Sequence, residues 1–344
     1  MSDAATTAGA GPAEPIIRGT FGQRIRARVV EALAWVVCRL PEGPLLIAAD
    51  MAGTVAFVVA RGRRRRARAN LHRVAAWLAA HDLGDAGARR AATDPRALDR
   101  LVRSAFRHHA RYLLEVARAP VMTERYVRDR IRIETPEVLA EALASKPVLI
   151  IGMHLGAIEL PGFYAWGVAR RRGIAPMETV LDPELQRWYA GIRSGLGIRV
   201  VGVREARREL VAALRGELLV GIVADRDVTG GGTEVELFGH PARLPSGPAL
   251  LLLEEPAPAY LATVRRSGRD RYIGHVEALP PPPADGSRRQ RVTAFLEAEA
   301  RAFERAVARA PDQWMAVFHP IWPDLEPQLR SGRRPHDGGI RSDG

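Results

Sequence analysis

One cysteine, Cys38, and one lysine, Lys146, are all that the 344 residues provide of those two types. A single thiol excludes an intramolecular disulfide and any cysteine-built metal cluster, and it fits a reducing compartment. The opening segment MSDAATTAGAGPAEP has neither the basic stretch nor the apolar core of a signal peptide. Residues 1–19 therefore read as a disordered leader, and the Gly-, Arg- and Asp-rich residues 331–344 as a disordered tail. No G-x-S-x-G elbow occurs, which counts against a serine hydrolase of that design. H-E-x-x-H is missing as well, and one histidine with one carboxylate makes a poor metal site, so neither metal nor resident cofactor is expected. The chain has no internal repeat.

What is present is arginine. Basic residues number 51 against 39 acidic ones, a net charge of +12, while 47% of the chain is hydrophobic, enough for a sizeable core. Such a balance suits phospholipid headgroups, nucleic acid or phosphorylated small molecules, although an Ala- and Arg-heavy composition also follows from a GC-rich genome. Residues 1–75 hold twelve arginines and five acids, a net of +7, so over half the excess lies in the first quarter. There, Ile25, Val29, Leu33 and Val36 recur at helical spacing between Gly22 and Val37, with Arg24, Arg26 and Arg28 on other faces. A second apolar run, PLLIAADMAGTVAFVVA, is interrupted by Asp50 and barely reaches bilayer length, so an integral span is not expected. RGRRRRARANLHRV follows at once. Apolar helices beside an arginine cluster predict that residues 20–75 lie on an anionic membrane surface, with Arg63, Arg64, Arg65 and Arg66 near the headgroups. No helix-turn-helix, zinc-finger or aromatic RNA-binding motif accompanies the arginines, so no nucleic-acid partner is expected.

Residues 96–118 read as a further helix, stopped at Ala119-Pro120, with His108 and His109 as surface or packing residues. Beyond it the pattern alternates. Strand-like runs at 147–153, 178–181, 198–203 and 218–223 are separated by helical stretches at about 157–171, 183–195 and 204–215. This predicts an α/β fold, a largely parallel central sheet flanked by helices, within one domain over residues 20–330. AYLATVRRSGRDRYIGHVEAL reads as a hairpin turning at Ser267-Gly268, PPPPADGS as a linker, and Val292, Phe295, Leu296, Phe303 and Val307 as the apolar stripe of a closing helix.

The chemistry concentrates where strands end. In VLIIGMHLGAIELPGF an apolar strand delivers His154 to the carboxyl edge of the sheet, where open α/β sheets place ligands, with Glu159 five positions on. A histidine there can take a proton from a hydroxyl while a carboxylate holds its tautomer. The strand LLVGIV delivers Asp225, Arg226 and Asp227 to the same edge, so either Asp225 or Glu159 is available to orient the ring. Gly230, Gly231 and Gly232 form a loop able to approach a ligand closely, and in FGHPARLPSGPALL Ser246 is placed to cap a helix with Pro248 in its first turn. Arg193 and Arg226 carry planar donors suited to phosphate, with a surface or structural ion pair as the alternative for each.

In this order GMHLGAIE, Arg193 in IRSGLGIRVV, ADRD, FGHPARLPSGPA and PDQWMAVFHPIW resemble the bacterial acyltransferases of the lipid A lauroyl/myristoyl type, and among them the actinobacterial phosphatidylinositol mannoside acyltransferases. The resemblance spans roughly residues 20–325. It implies acyl transfer from acyl-CoA or acyl carrier protein to a hydroxyl of an anionic glycolipid, at the cytoplasmic face of the plasma membrane. His154 then corresponds to the general base, Glu159 to the acid of H-x-x-x-x-D/E, and Asp225 to an acid that can pair with the histidine; Arg193, Arg226, Asp227 and Ser246 are the substrate-binding candidates. One departure is Ala157-Ile158, where relatives usually carry Asn-Trp. It bears on the acceptor pocket and leaves two competing readings, an inactive lipid-binding protein of the same fold and an enzyme with another acceptor such as a lipid A precursor.

Overall fold

A computed structural model of the chain describes residues 19–177, 182–195, 198–202, 206–228 and 230–331. The expected leader and tail lie outside these residues, apart from Gly19 and Ser331, as does the strand expected at 178–181.

Five helices come first: α1 (Phe21–Val37), α2 (Glu42–Val59), α3 (Arg61–Ala80), the short α4 (Ala86–Arg90) and α5 (Pro95–Arg118). Their starts are written locally. Thr20 and Gln23 close a reciprocal capping box on α1, and Asp94 caps α5 with Pro95 in the first turn, where its missing N–H has no bond to lose. Then strands and helices interleave: α6 (Glu124–Arg130), β1 (Ile131–Ile133), α7 (Pro136–Ala144), β2 (Val148–Gly152), α8 (Leu160–Phe163), β3 (Gly173–Met177), α9 (Pro183–Gly195), β4 (Ile198–Gly202), α10 (Ala206–Arg215) and β5 (Leu219–Val223). A two-stranded hairpin, β6 (Thr233–Leu237) and β7 (His240–Leu244), leads into α11 (Gly247–Glu254). The expected second hairpin follows as β8 (Ala259–Arg266) and β9 (Tyr272–Leu279), and the expected closing helix as α12 (Arg288–Ala308). Tight turns over 311–325 and α13 (Glu326–Ser331) complete it.

Seven strands form one sheet in the order β1-β9-β8-β2-β5-β3-β4, parallel at every pairing except β8 with β9. This is the largely parallel, helix-flanked α/β sheet. β2 is central, and its apolar run follows from burial on both faces. Its register with β5 pairs Val148 with Leu219 through Gly152 with Val223. Two residues beyond each strand, at the same level of the same edge, stand His154 and Asp225.

Helices α1 and α2 leave a broad apolar surface open. Ile25, Val29 and Leu33 on α1 and Met51, Val55 and Val58 on α2 are each about half exposed or more. α2 is long and apolar enough to cross a membrane, with mean hydropathy 1.5 over 18 residues, yet one side of it is tied to α5. Gly53 permits that approach: a Cβ there would lie 2.6 Å from the backbone of Phe106 and Arg107. Asp50 accepts hydrogen bonds from Arg111 (2.7 and 2.6 Å) and Arg107 (2.8 Å).

The arginine cluster is not the uniform outward face expected. Arg66 pairs with Glu326 at 3.0 Å, Arg64 donates to the Phe57 carbonyl, and Arg63 meets His109 at 3.1 Å. On a helix packed along one side, successive residues point in all directions, so half of a basic run turns inward.

Burial opposes ionisation of Asp50, but the hydrogen bonds from Arg111 and Arg107 outweigh it and hold the carboxyl down at about 2. A depressed folded pKa gives stability that is present above the unfolded value and lost as pH falls toward the folded one. Asp50→Asn is expected to cost about 1–2 kcal/mol at neutral pH, discounted for partial solvation, and the difference from wild type should disappear as pH falls from about 4 to 2. Urea unfolding midpoints across that range measure it.

Candidate active site

Beyond β2 the chain turns sharply through Met153–Gly156. Gly156 has φ +64°, and a Cβ on it would sit 2.2 Å from the Val264 carbonyl oxygen, so only glycine allows this turn to lie against β8. The turn is pinned from both sides: Gly156 N–H donates to the Gln313 carbonyl (2.9 Å), Ala157 N–H to Val264 (2.8 Å) and Met315 N–H to the His154 carbonyl (2.6 Å).

His154 Nδ1 lies 2.6 Å from Asp225 Oδ1, and the His154 backbone N–H donates to Oδ2 at 3.0 Å. Trp314 Nε1–H donates to the same Oδ2 at 2.8 Å. The Asp225 side chain is fully buried, whereas His154 keeps 22% of its side-chain surface open. Burial alone would raise the Asp225 pKa, but the charge and hydrogen bond of His154 and the bond from Trp314 bring it below the usual carboxylate range. An ionised carboxylate only accepts, which assigns the ring proton to Nδ1 and leaves Nε2 as the basic atom. Of the two acids expected to orient the ring, Asp225 is the one that does.

Glu159 is turned elsewhere. It stands just before α8 and takes Arg193 of α9 in a two-point ion pair, with Arg193 Nη2 2.8 Å from Oε1 and Nε 3.3 Å from Oε2. The helix expected from 157 begins only at Leu160 and widens into a π turn over Tyr164–Val168, and the Glu159 side chain ahead of it is paired with Arg193 rather than the histidine. Of the two roles open to Arg193, phosphate binding or a structural ion pair, this structure shows the ion pair. Asp227, also a substrate candidate, instead accepts from Gly230 N–H (2.9 Å) and Gly232 N–H (2.8 Å), shaping the glycine loop. Ser246 does precede α11, with Pro248 in the first turn, but its hydroxyl makes no cap; it bonds Thr233 Oγ1 at 2.7 Å because the hairpin's first residue lies against it. Arg226 is half buried and, among the described residues, pairs with no carboxylate.

Three residues beyond the sequence candidates complete the setting. Trp314 belongs to the PDQWMAVFHPIW segment but its bond to Asp225 has no sequence signal. Glu299 has one: it falls on the apolar stripe of α12, between Phe295 and Phe303. It is wholly buried, neither oxygen has a partner among the described residues, and burial together with the Asp225 charge raises its pKa well above the ordinary value. His109, expected as a surface or packing residue, is pushed down to about 4 by burial and by the charges of Arg63 and Arg266.

An apolar cavity lies against the sheet face formed by Ile150, Gly152, Leu219 and Gly221; Met153 and Leu155, on either side of His154 in the chain, line it together with Trp166, Ile174, Glu159 and Arg193. A second cavity shares Ile150, Ala165 and Leu219 with it and continues toward α7. Gly221 has open space where a Cβ would stand. Among the described residues no group of three or more His, Cys, Asp or Glu could hold a metal.

Comparison with known proteins locates this arrangement. The phosphatidylinositol mannoside acyltransferase of Mycobacterium tuberculosis (strain CDC 1551 / Oshkosh) is 30% identical over 245 residues, covering 69% of this chain and 73% of the relative. That of Mycolicibacterium smegmatis is 27% identical over 240 residues, covering 68% and 76%. Residues 23–323 match the family of bacterial lipid A biosynthesis acyltransferases, a stretch that holds the His154–Asp225 pair, the cavity and every helix from α2 to α12; the chain belongs to this family and is an O-acyltransferase.

Proposed function

We propose that the protein transfers a fatty acyl group from an acyl thioester, acyl-CoA or acyl carrier protein, to a hydroxyl of a phosphatidylinositol mannoside at the cytoplasmic face of the plasma membrane. The observation that carries this is a basic histidine nitrogen, backed by a buried carboxylate, on a turn whose Met153 and Leu155 line an apolar cavity. Relatives named for that acceptor support the choice of glycolipid.

In the reaction so read, His154 Nε2 takes the proton of the acceptor hydroxyl as its oxygen attacks the thioester carbonyl. The tetrahedral intermediate collapses with cleavage of the C–S bond, and the proton on Nε2 passes to the leaving sulfur. Asp225 stays ionised throughout and stabilises the transient imidazolium. Glu159 and Arg193, neutralising each other, place no net charge against the cavity where the acyl chain lies.

The exposed apolar faces of α1 and α2 support seating at the bilayer surface, with the acceptor's lipid tails remaining in the membrane. Asp50, held by two arginines, keeps α2 against α5 rather than across the bilayer.

Four outcomes are expected. With purified enzyme, acyl-CoA and a phosphatidylinositol mannoside extract, the product identified by mass spectrometry should gain one acyl ester. His154→Ala should lower turnover about 10²–10⁴-fold, and Asp225→Asn by at least about 10²-fold, because an amide can donate to Nδ1 and move the ring proton to Nε2; near-normal rates in both variants would remove the mechanism. Gly221→Leu, which fills the open space in the cavity, should lower kcat/KM for long-chain donors at least about 10-fold more than for short ones. Leu33→Glu combined with Val55→Glu, each side chain contributing about 1.5–3 kcal/mol when buried, should reduce binding to anionic vesicles at least tenfold in sedimentation, with the melting temperature unchanged.

A further inference from the structure

Four groups outside the mechanism converge on His154 from separate elements. The turn over Met315–Phe318 is fastened to the histidine's own backbone by the Met315 N–H, and His319 comes next. Asn70 of α3 holds this turn by donating to the carbonyls of Val317 (2.9 Å) and His319 (3.0 Å). The Phe318 ring carries the Arg63 guanidinium over its face at 4.9 Å and the His109 ring at 5.1 Å, and Arg63 Nη2 is 3.1 Å from His109 Nε2. Arg226 follows Asp225 directly.

The charges do not balance there. His319 is pushed down to about 4 by burial and then by Arg226, His154, Arg63 and His109. Every one of those neighbours is a cation or an imidazole. The nearby acids are committed: Asp225 to His154 and Trp314, Asp227 to the loop amides, Glu115 to Arg266, and Asp312 to Ser104 and His108. Among the described residues neither Arg63 nor Arg226 has a carboxylate partner, whereas Arg66, Arg68 and Arg73 on the same helix as Arg63 take Glu326, Asp99 and Asp324. A cationic cluster beside a base that must itself become cationic opposes that charge, and Asp225 answers it only from the Nδ1 side of the ring.

We propose that Arg63, His109, Arg226 and His319 form a binding site for a phosphate ester of a substrate, next to the His154 ring. Two guanidinium forks and two imidazoles match the oxygens of such a group. The anion would neutralise the cluster and favour the protonated histidine formed in the transfer step. This rests on the reading of the reaction given above, in which both substrates carry phosphate: the acceptor a phosphodiester, the donor the pyrophosphate of coenzyme A.

Calorimetric titration of the full chain separates the sources. The probes are coenzyme A, glycerophosphoinositol mannoside as the soluble acceptor headgroup, and methyl mannoside as the neutral control. At least one phosphorylated probe should bind wild type, and Arg63→Gln and Arg226→Gln should each weaken it tenfold or more, with Arg63→Lys losing less and methyl mannoside unaffected. A loss confined to coenzyme A assigns the site to the donor, and a loss confined to the headgroup assigns it to the acceptor; either supports the proposal. His319→Gln, checked by thermal melting, should weaken the same probe. Equal affinities in wild type, Arg63→Gln and Arg226→Gln, or no binding of either phosphorylated probe by wild type, would overturn it. Binding that depends on the arginines in a protein without transferase activity would sink the reaction and leave the site. Transfer abolished by His154→Ala with binding indifferent to both arginines would do the reverse.

Discussion

The bond between His154 and Asp225 depends on the pairing of β2 with β5, and most of the molecule serves to hold that pairing in one register. Because side chains alternate along a strand, a slip of one residue would turn either group to the opposite face. β2 is therefore gripped by β5 on one side and β8 on the other, inside layers supplied by α10, α11 and α12. Trp314 fixes the carboxylate itself. Its indole donates to Asp225 while its ring packs with Phe238 (5.7 Å) and Trp322 (6.3 Å), so the aromatic cluster that fills the core also sets a hydrogen-bond angle at the site.

Burying a carboxylate is costly without partners, and Asp225 has three donors to offset that cost. Glu299 shows the opposite outcome in the same interior. With no donor among the described residues and the Asp225 charge nearby, burial pushes its pKa well above the ordinary carboxylate value, which favours the uncharged form. The two acids thus share one electrostatic arrangement, divided by their hydrogen bonds and not by their intrinsic acidity.

Much of this was legible before any coordinates. The alternation of apolar runs with helical stretches predicts the parallel sheet, the segment around Ser267-Gly268 predicts the β8–β9 hairpin, and the stripe from Val292 to Val307 predicts α12. Placement of His154 and Asp225 at one sheet edge also follows from the strands that precede them. The choice between Asp225 and Glu159 does not, because it turns on strand register and on the left-handed Gly156, neither of which a single sequence displays. The β6–β7 hairpin was missed although Val235, Leu237, Ala242 and Leu244 alternate around Phe238-Gly239; the polar residues between them read as loop. Arginine was the hardest residue to interpret. Its role on α3 changes from one position to the next, since each points into a different neighbour.

In the proposed seating at a bilayer, that distribution divides the work between charge and apolar surface. Of the basic residues on α3, Arg66 and Arg73 tie the helix to the C-terminal segment and Arg63 meets His109, while Arg61 and Arg65 remain exposed. The apolar surface left unpaired lies on α1 and α2 instead. In the proposed reaction, then, non-directional burial on those two helices holds the enzyme at the bilayer, where geometry need not be exact. The guanidinium forks, whose value depends on orientation, stand where a substrate has to be aligned with a single nitrogen atom.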